Sequence, residues 1–215
     1  MESSFDINRA LTYISTLLQP EISLPINAND LPGEKIQPTI GPLAAALLNV
    51  LVSAKQPAHI LDIGTSYGYS AAVLGRAASA YDGHVTSIEI NPRLAEAAQK
   101  NIAALGLSGS VSILTADARA AVHDLTTPFG LILQDGHKLD YLPMLDDLVA
   151  RLENGGLLIS DDVLFPVMNI PDSAREWQTA MEVYNRALAA RQNLQTVWLP
   201  IGDGVAVSVH RIRHG

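Results

Sequence analysis

Apolar and polar residues follow a regular order along most of the chain. Short apolar runs predict five strands, at 59–63, 84–89, 111–114, 130–134 and 157–160. Segments with apolar residues at helical spacing follow them, at 69–80, 92–104, 118–125, 139–152 and 173–191. Repeated strand–helix units predict an α/β fold: a Rossmann-like, doubly wound sheet that is mostly parallel and has helices on both faces.

The two ends of the chain complete this pattern. Apolar spacing predicts one helix over 5–18 and another over 41–54. Between them, residues 19–38 contain four prolines, which predict an irregular arm or lid. Near the other end, the runs 194–199 and 205–212 flank a turn with Pro and Gly, typical of a hairpin that adds one antiparallel strand.

Composition narrows the class of protein. The 215 residues suit a single domain over 1–215, in which 1–38 forms the N-terminal helix and the arm. Lys and Arg number 14 against 22 Asp and Glu, and the net charge of −8 makes nucleic acid a disfavoured partner. No apolar run suits a membrane span, and the first residues do not resemble a signal peptide. The lack of cysteine excludes disulfides and thiolate sites. These features predict a cytoplasmic protein.

A glycine-containing turn follows the first strand of the series. Residues 61–70 read LDIGTSYGYS, where Gly64 and Gly68 allow a tight turn and a close approach of a ligand to the backbone. Glu89 ends the next strand, where a carboxylate can accept hydrogen bonds from both hydroxyls of a ribose. The G-x-x-x-G spacing departs from the dinucleotide fingerprint, so the combination favours S-adenosylmethionine over a nicotinamide cofactor. The alternative is an ordinary strand-to-helix turn with a surface glutamate.

Acidic residues follow two later strands. Asp135 ends one of them, and Asp161 and Asp162 end the other. If the two strands are neighbours in a parallel sheet, three carboxylates meet at its ligand-binding edge and repel one another unless a cation joins them. Such oxygen ligands favour Mg²⁺, with Mn²⁺ or Ca²⁺ as alternatives. The competing interpretation is that each aspartate caps the segment after it.

Lys138 lies three residues after Asp135, at the start of a predicted helix. Its ammonium could return toward the same site, although most lysines are solvated. Beside a metal ion and a sulfonium its pKa would be lowered, which suits a general base.

The order of these motifs resembles the cation-dependent O-methyltransferases, the family that includes catechol O-methyltransferase, caffeoyl-CoA O-methyltransferases and small bacterial relatives. The resemblance covers about residues 38–210. It rests on LDIGTSYGYS at 61–70, SIE at 87–89, ADA at 116–118, DGHKLDY at 135–141, DDVL at 161–164 and GDGV at 202–205. The chain departs from the family pattern where Asp62 replaces Glu, Ala116 replaces Gly, His137 replaces a second acid and Asp162 replaces Asn. The last change leaves the metal preference open.

The resemblance implies a seven-stranded sheet with its last strand antiparallel, a homodimer, S-adenosylmethionine and a divalent cation. The implied cofactor contacts are Ile40, Asp62, Gly64, Thr65, Ser66, Gly68, Tyr69, Ser70, Glu89, Asp117, Ala118 and Asp135. The implied metal ligands are Asp135, Asp161 and Asp162, and catalysis is assigned to Lys138 and Asp135.

The predicted reaction is methyl transfer to one of two adjacent hydroxyls of a small aromatic acceptor. The metal would hold both oxygens, and Lys138 would take or stabilise the proton of the oxygen that attacks the methyl carbon. Phe165, Pro166 and Met168 could form an apolar wall for the ring, whereas Trp177 is expected in the core or at a subunit interface.

Three other functions stay open on the residues alone. One is methylation of a hydroxylated uridine in transfer RNA, which the net charge of −8 disfavours. Another is a nicotinamide oxidoreductase on a similar fold, which the glycine spacing disfavours. The third is a binder without catalysis, which would have no need of Asp135 and Lys138.

Overall fold

The computed structural model describes residues 6–18 and 22–211. Within them the strands are β1 His59–Ile63, β2 His84–Glu89, β3 Val111–Thr115, β4 Phe129–Gln134, β5 Leu152–Ser160, β6 Leu194–Leu199 and β7 Val205–His210. They form one seven-stranded sheet in the order β3-β2-β1-β4-β5-β7-β6. Strands β1 to β5 pair in parallel, and β7 runs antiparallel to both β5 and β6. The predicted doubly wound sheet with its last strand reversed is confirmed.

Helices cover both faces of this sheet. In the described ranges they are α1 Ile7–Ser15, α2 Pro42–Lys55, α3 Tyr69–Ala78, α4 Pro92–Ala104, α5 Ala118–Asp124, α6 Tyr141–Ala150 and α7 Arg175–Ala190. Local chemistry fixes where several begin. Asn91 caps α4 by accepting the Arg93 amide at 2.9 Å, and Pro92 occupies its first turn. None of these helices, in the described part of the chain, is long and apolar enough to cross a membrane.

Alternation along the strands divides the core into two layers. In β1, Ile60 packs into the cluster that contains residues of α2, α3 and α4, and Leu61 packs into the cluster of α6 and α7 on the opposite face. Successive strand residues point to opposite faces, so a sheet buried on both sides needs apolar residues at nearly every position. Polar residues inside the central strands, such as Asp62 and Gln134, are therefore exceptions that need partners.

Most predicted boundaries lie within two residues of the observed ones, and the largest difference is in β5. The sequence predicts a helix that continues to residue 152 and a strand from 157, whereas β5 already begins at Leu152. The register shifts between Phe129 and Leu131 of β4, and Gly155 adopts φ +74°. The glycines therefore let an irregular strand form where the sequence pattern predicts a turn. The predictions for residue 5, residues 19–21 and residue 212 lie outside the described residues.

Candidate active site

A cavity of about 790 Å³ opens at the carboxyl ends of the parallel strands. Its position is the one at which doubly wound sheets bind ligands, and its volume suits a small-molecule site. Ten of the predicted cofactor residues line it, namely Ile40, Gly64, Thr65, Ser66, Tyr69, Ser70, Glu89, Asp117, Ala118 and Asp135. The predicted catalytic and metal residues Lys138, Asp161 and Asp162 line the same cavity.

The glycine loop between β1 and α3 forms one wall of the cavity. Gly64 adopts φ +91°, and a Cβ built on it would lie 2.5 Å from the carbonyl oxygen of Asp135. Gly68 adopts φ +102°, and its Cβ would lie 3.1 Å from Ala98 of α4. Side chains disfavour both the positive φ and the contact, so glycine is required for this close path of the backbone.

Glu89, at the end of β2, is held in place by backbone donors. Its Oε2 accepts the amide of Ser66 at 2.8 Å, and its Oε1 accepts the amide of Asn91 at 2.8 Å. Each carboxylate oxygen has a second lone pair, so Glu89 can still accept hydrogen bonds from two ligand hydroxyls. The Oγ of Ser66 is buried and has no hydrogen-bond partner, which leaves a further polar atom for a ligand in this loop.

Asp62 and Gly68 do not line the cavity, unlike the other predicted cofactor residues. Asp62 lies in β1 with its side chain fully buried, where its Oδ2 accepts the hydroxyls of Ser70 at 2.9 Å and Ser87 at 2.6 Å. Burial raises its pKa to about 6, against the lowering effect of these hydroxyl donors. The structure therefore places Asp62 beneath the loop, where it connects β1, β2 and α3.

The adenine side of the predicted site is built by α5. Asp117 is the N-cap of this helix, and its Oδ1 accepts the amide of Arg119 at 2.9 Å. The adjacent Ala118 faces the same cavity. The capping interpretation and the cofactor interpretation of Asp117 are compatible, because a capped helix start fixes the side chain beside the cavity.

The acidic side of the cavity lies at the ends of β4 and β5, which are neighbouring strands as the sequence analysis required. Lys138 is the centre of this group. Its Nζ lies 2.5 Å from Oδ2 of Asp162 and 3.4 Å from Oδ1 of Asp135, and it donates to the carbonyl of Gly136 at 3.1 Å. No group of three His, Cys, Asp or Glu side chains in residues 6–18 and 22–211 is arranged to hold a metal ion as it stands. The ammonium of Lys138 supplies the positive charge in this arrangement.

Burial and mutual repulsion change the ionisation of this group. Burial raises the pKa of Asp135 well above its ordinary value despite the opposing effect of Lys138. Burial also raises the pKa of Asp161 to about 6, and repulsion from Asp162 adds to the rise. Burial alone would lower the pKa of Lys138, but the surrounding carboxylates outweigh it and raise that pKa above 10.5. The expected lowering would therefore need a further positive charge in the cavity.

Tyr141 supports Lys138 from below. Its hydroxyl accepts a hydrogen bond from Nζ of Lys138 at 3.3 Å and donates to the carbonyl of Gln134 at 2.9 Å. The amide oxygen of Gln134 in turn accepts the hydroxyl of Tyr184 at 3.1 Å. These buried polar groups satisfy one another's hydrogen-bonding needs, so the ammonium of Lys138 is held by a connected hydrogen-bond network.

An aromatic wall stands beside the acidic group, and sequence reasoning found only part of it. Phe165 lines the cavity as predicted, whereas Pro166 and Met168 do not. Trp177, which was expected in the core or at an interface, lines the cavity and stacks on Phe165 with ring centroids 6.3 Å apart. His137 meets Trp177 edge-on at 6.1 Å. The sequence signal for Trp177 was its place in the first turn of α7, the helix that follows the predicted apolar wall.

Asp203 is another cavity residue that the sequence analysis did not assign to the site. It lies in the turn between β6 and β7 and lines the cavity. Burial raises its pKa, and repulsion from Asp162 adds to this effect. The acidic character of this side of the cavity thus extends to a third strand end.

The sheet order, the glycine loop and Glu89 at the end of β2 are typical of proteins that bind a nucleoside cofactor, and the acidic group lies in the same cavity. Comparison with known proteins makes the class specific. A family model described as "O-methyltransferase" matches residues 30–212, and the chain belongs to this family. It is an S-adenosylmethionine-dependent O-methyltransferase. This assignment removes the nicotinamide alternative and confirms the cofactor.

Individual relatives agree with the family. The chain is 31% identical over 158 residues to a catechol O-methyltransferase of Niastella koreensis, a match that covers 71% of each chain. It is 28% identical over 182 residues to the O-methyltransferase ankF of Aspergillus thermomutatus, covering 77% of this chain and 76% of that protein. The SAH-bound methyltransferase PaMTH1 of Podospora anserina has the same fold, with a TM-score of 0.79, 17% identity and 99% of both chains covered.

Proposed function

We propose that the protein methylates one of two adjacent hydroxyls of a small aromatic acceptor and that a divalent cation assists the reaction. One observation carries this proposal: the glycine loop with Glu89 and the acidic group with Lys138 face the same cavity. Methyl transfer needs donor and acceptor at contact distance, and a shared cavity meets that need. The catechol O-methyltransferase among the relatives supports an acceptor of this class.

The cofactor fits the residues on the loop side of the cavity. Its ribose would bind the free lone pairs of Glu89, and the buried Oγ of Ser66 is an unused polar partner nearby. Its adenine would lie toward Asp117 and Ala118, and its sulfonium toward Asp135, whose backbone touches Gly64. When bound, the cofactor would supply the methyl group and a positive charge near the acidic group.

The donor chemistry of Asp135, Asp161 and Asp162 supports a divalent cation. Burial raises the pKa of Asp135 and Asp161, repulsion between the carboxylates adds to the rise, and a cation would relieve that repulsion. In the structure Lys138 already contacts Asp162, so a cation would have to share these carboxylates with the lysine. When bound there, a cation would hold the two acceptor oxygens and lower the pKa of the attacking one.

Lys138 and Asp135 are the proposed catalytic residues. The carboxylates keep Lys138 protonated in the ligand-free protein, so its first role is to donate a hydrogen bond to the acceptor oxygen. To take the hydroxyl proton, Lys138 must first release its own proton to solvent, and additional positive charge in the cavity would lower its pKa and favour that release. Asp135 orients the lysine through the contact between its Oδ1 and Nζ at 3.4 Å.

The aromatic wall supports a planar acceptor. Phe165 and Trp177 are nearly parallel, with an interplanar angle of 19°, and both face the cavity. A flat ring placed against this wall would present adjacent hydroxyls to the acidic group. The single-domain organisation and the homodimer stay predictions.

The test is calorimetric titration with S-adenosylmethionine, followed by turnover on a panel of catechols with EDTA and with Mg²⁺. Cofactor binding and methylation that Mg²⁺ restores after EDTA are the expected results. Methylation that EDTA does not affect would overturn the cation assignment and leave the acceptor assignment intact. Binding without turnover on any catechol would overturn the acceptor class.

A further inference from the structure

The proline-rich arm reaches the cavity only after it has crossed α4. Lys35 and residues 37–41, which are the end of the arm and the three residues after it, line the cavity. The earlier described part, from residue 22, has little regular structure of its own beyond a short turn at Ala28–Asp30. The position of this segment, residues 22–41, therefore depends on the contacts that it makes with the rest of the molecule.

Asn101 makes the first of these contacts from the buried face of α4. Its Oδ1 accepts the amide of Ile26 at 2.8 Å, and its Nδ2 donates to the carbonyl of Ile26 at 2.8 Å. The same Nδ2 donates to the carbonyl of Tyr67 in the glycine loop at 2.8 Å. One fully buried side chain thus binds both backbone groups of an arm residue and one group of the cofactor loop.

Asn91 makes the second contact at the start of α4. Its Nδ2 donates to Oε2 of Glu34 in the arm at 2.6 Å, and its backbone amide donates to Oε1 of Glu89 at 2.8 Å. Glu34 also pairs with Arg93, with Nη1 and Oε1 2.6 Å apart, and its side chain is only 12% exposed. A single residue, Asn91, thus connects the arm to Glu89, the proposed ribose-binding carboxylate.

We propose that Asn91 and Asn101 are positioning residues that fasten the arm and the cofactor loop to α4, so that arm docking and cofactor binding are one coupled equilibrium. The inference rests on the cofactor half of the proposed function and is independent of the acceptor and the cation. If a docked arm favours the bound cofactor, the bound cofactor favours the docked arm by the same factor.

The first test measures the dissociation constant of S-adenosylhomocysteine by calorimetry. Glu34→Ala removes the acceptor of the hydrogen bond between the arm and Asn91. Asn91→Ser removes the donor of the same hydrogen bond and keeps a good helix cap. Both variants are expected to bind about fivefold to tenfold more weakly, because each loses a partly buried charge-assisted hydrogen bond. The KM for S-adenosylmethionine should rise by a similar factor, with a much smaller fall in kcat.

The matched control is Glu96→Ala. Glu96 pairs with Lys100 on the same helix at 2.7 Å, but both side chains are more than 60% exposed. This variant is expected to bind the cofactor like the wild type. Equal affinity of Glu34→Ala, Asn91→Ser and Glu96→Ala would overturn the proposal.

The second test follows hydrogen exchange at the Ile26 amide, which donates to Asn101. S-adenosylhomocysteine should slow this exchange in the wild type, and Glu34→Ala should speed it in the free protein. Exchange that does not respond to the ligand would overturn the coupling. Asn101→Ser should speed the exchange of the Ile26 amide further. Because Asn101 is fully buried, its serine variant can fail to fold, and Glu34→Ala then decides the question. Failure to methylate catechols would leave both measurements unaffected, which separates this inference from the proposed acceptor.

Discussion

The two halves of the cavity hold their carboxylates in different ways. In the half that contains the glycine loop, which is the proposed cofactor half, the oxygens of Glu89 accept backbone amides from Ser66 and Asn91. On the acidic side, Asp135 and Asp162 are balanced by the ammonium of Lys138. Backbone donors are fixed by the fold, whereas a side-chain cation can exchange its partners. The cofactor half is therefore preorganised for one ligand, whereas Lys138 in the acidic half can change its carboxylate partners when a ligand binds.

The largest expected effect that separates the halves comes from Lys138→Ala. Removal of the Lys138 side chain takes away the proposed hydrogen-bond donor and proton acceptor, so kcat should fall by about 10² to 10³. The proposed cofactor contacts other than Asp135 lie on the other half, and the dissociation constant of S-adenosylmethionine should change by less than about threefold. Steady-state turnover on a catechol that the wild type accepts, with calorimetry on the same sample, measures both.

The control for this variant is Lys100→Ala, which removes an exposed ammonium from α4 that pairs only with Glu96 among the contacts in the described residues. Turnover of Lys138→Ala equal to that of this control would remove Lys138 from the chemistry. Loss of cofactor binding in Lys138→Ala would show that the two halves are not separate.

The pH dependence of the free energy of unfolding tests the role of Asp62, which lies beneath the glycine loop of the cofactor half. Its pKa rises from 3.8 to about 6 on folding because it is buried without a cation. The folded protein then holds the proton more tightly than the unfolded chain, so stability falls as the pH rises from about 4 to about 6 and changes no further above it. The loss attributable to this group is about 3 kcal/mol.

Asp62→Asn should remove this part of the pH dependence. An amide oxygen can still accept the hydroxyls of Ser70 and Ser87, and the cost of burying the new amide group is the same at each pH. Urea unfolding at pH 4 and pH 7, compared with the exposed control Asp124→Asn, gives the difference. Equal pH dependence in the wild type and Asp62→Asn would show that Asp62 does not titrate in this range.

These residues also show how far the sequence could predict the structure. Periodicity and glycine positions are local signals, and they predicted the doubly wound sheet, the loop at Gly64 and the strands that Asp135 and Asp161 follow, whereas the pairing of those two strands entered only as a condition. The irregular start of β5 escaped prediction because it depends on pairing with β4 rather than on local pattern. The side-chain bonds of Asn101 join segments that lie 75 and 34 residues apart in the chain, and no local signal indicates such pairs.

Glu89→Gln should weaken the cofactor half and leave the acidic half intact. A glutamine side chain has one acceptor oxygen, so one of the two backbone amides loses its partner and one ribose contact is lost. The dissociation constant of S-adenosylmethionine should rise by about 10-fold to 30-fold. With saturating cofactor, kcat should fall far less than in Lys138→Ala. Binding as tight as that of the surface control Glu96→Gln would contradict the assignment of Glu89 to the ribose.

The smallest expected effect comes from Asp162→Asn, which changes the charge of the acidic half with little change in shape. Residue 162 adopts φ +61°, a conformation that asparagine tolerates as well as aspartate, so the variant should fold. It loses the charge that faces Lys138 at 2.5 Å but keeps an oxygen that can bind a cation. The Mg²⁺ concentration for half-maximal activity should therefore rise by about threefold to tenfold, while the cofactor affinity stays unchanged.

Asp172→Asn is the control, because Asp172 pairs with Arg175 at 2.5 Å on the surface. If Asp162→Asn and this control needed the same Mg²⁺ concentration, the charge of Asp162 would serve Lys138 and not the cation.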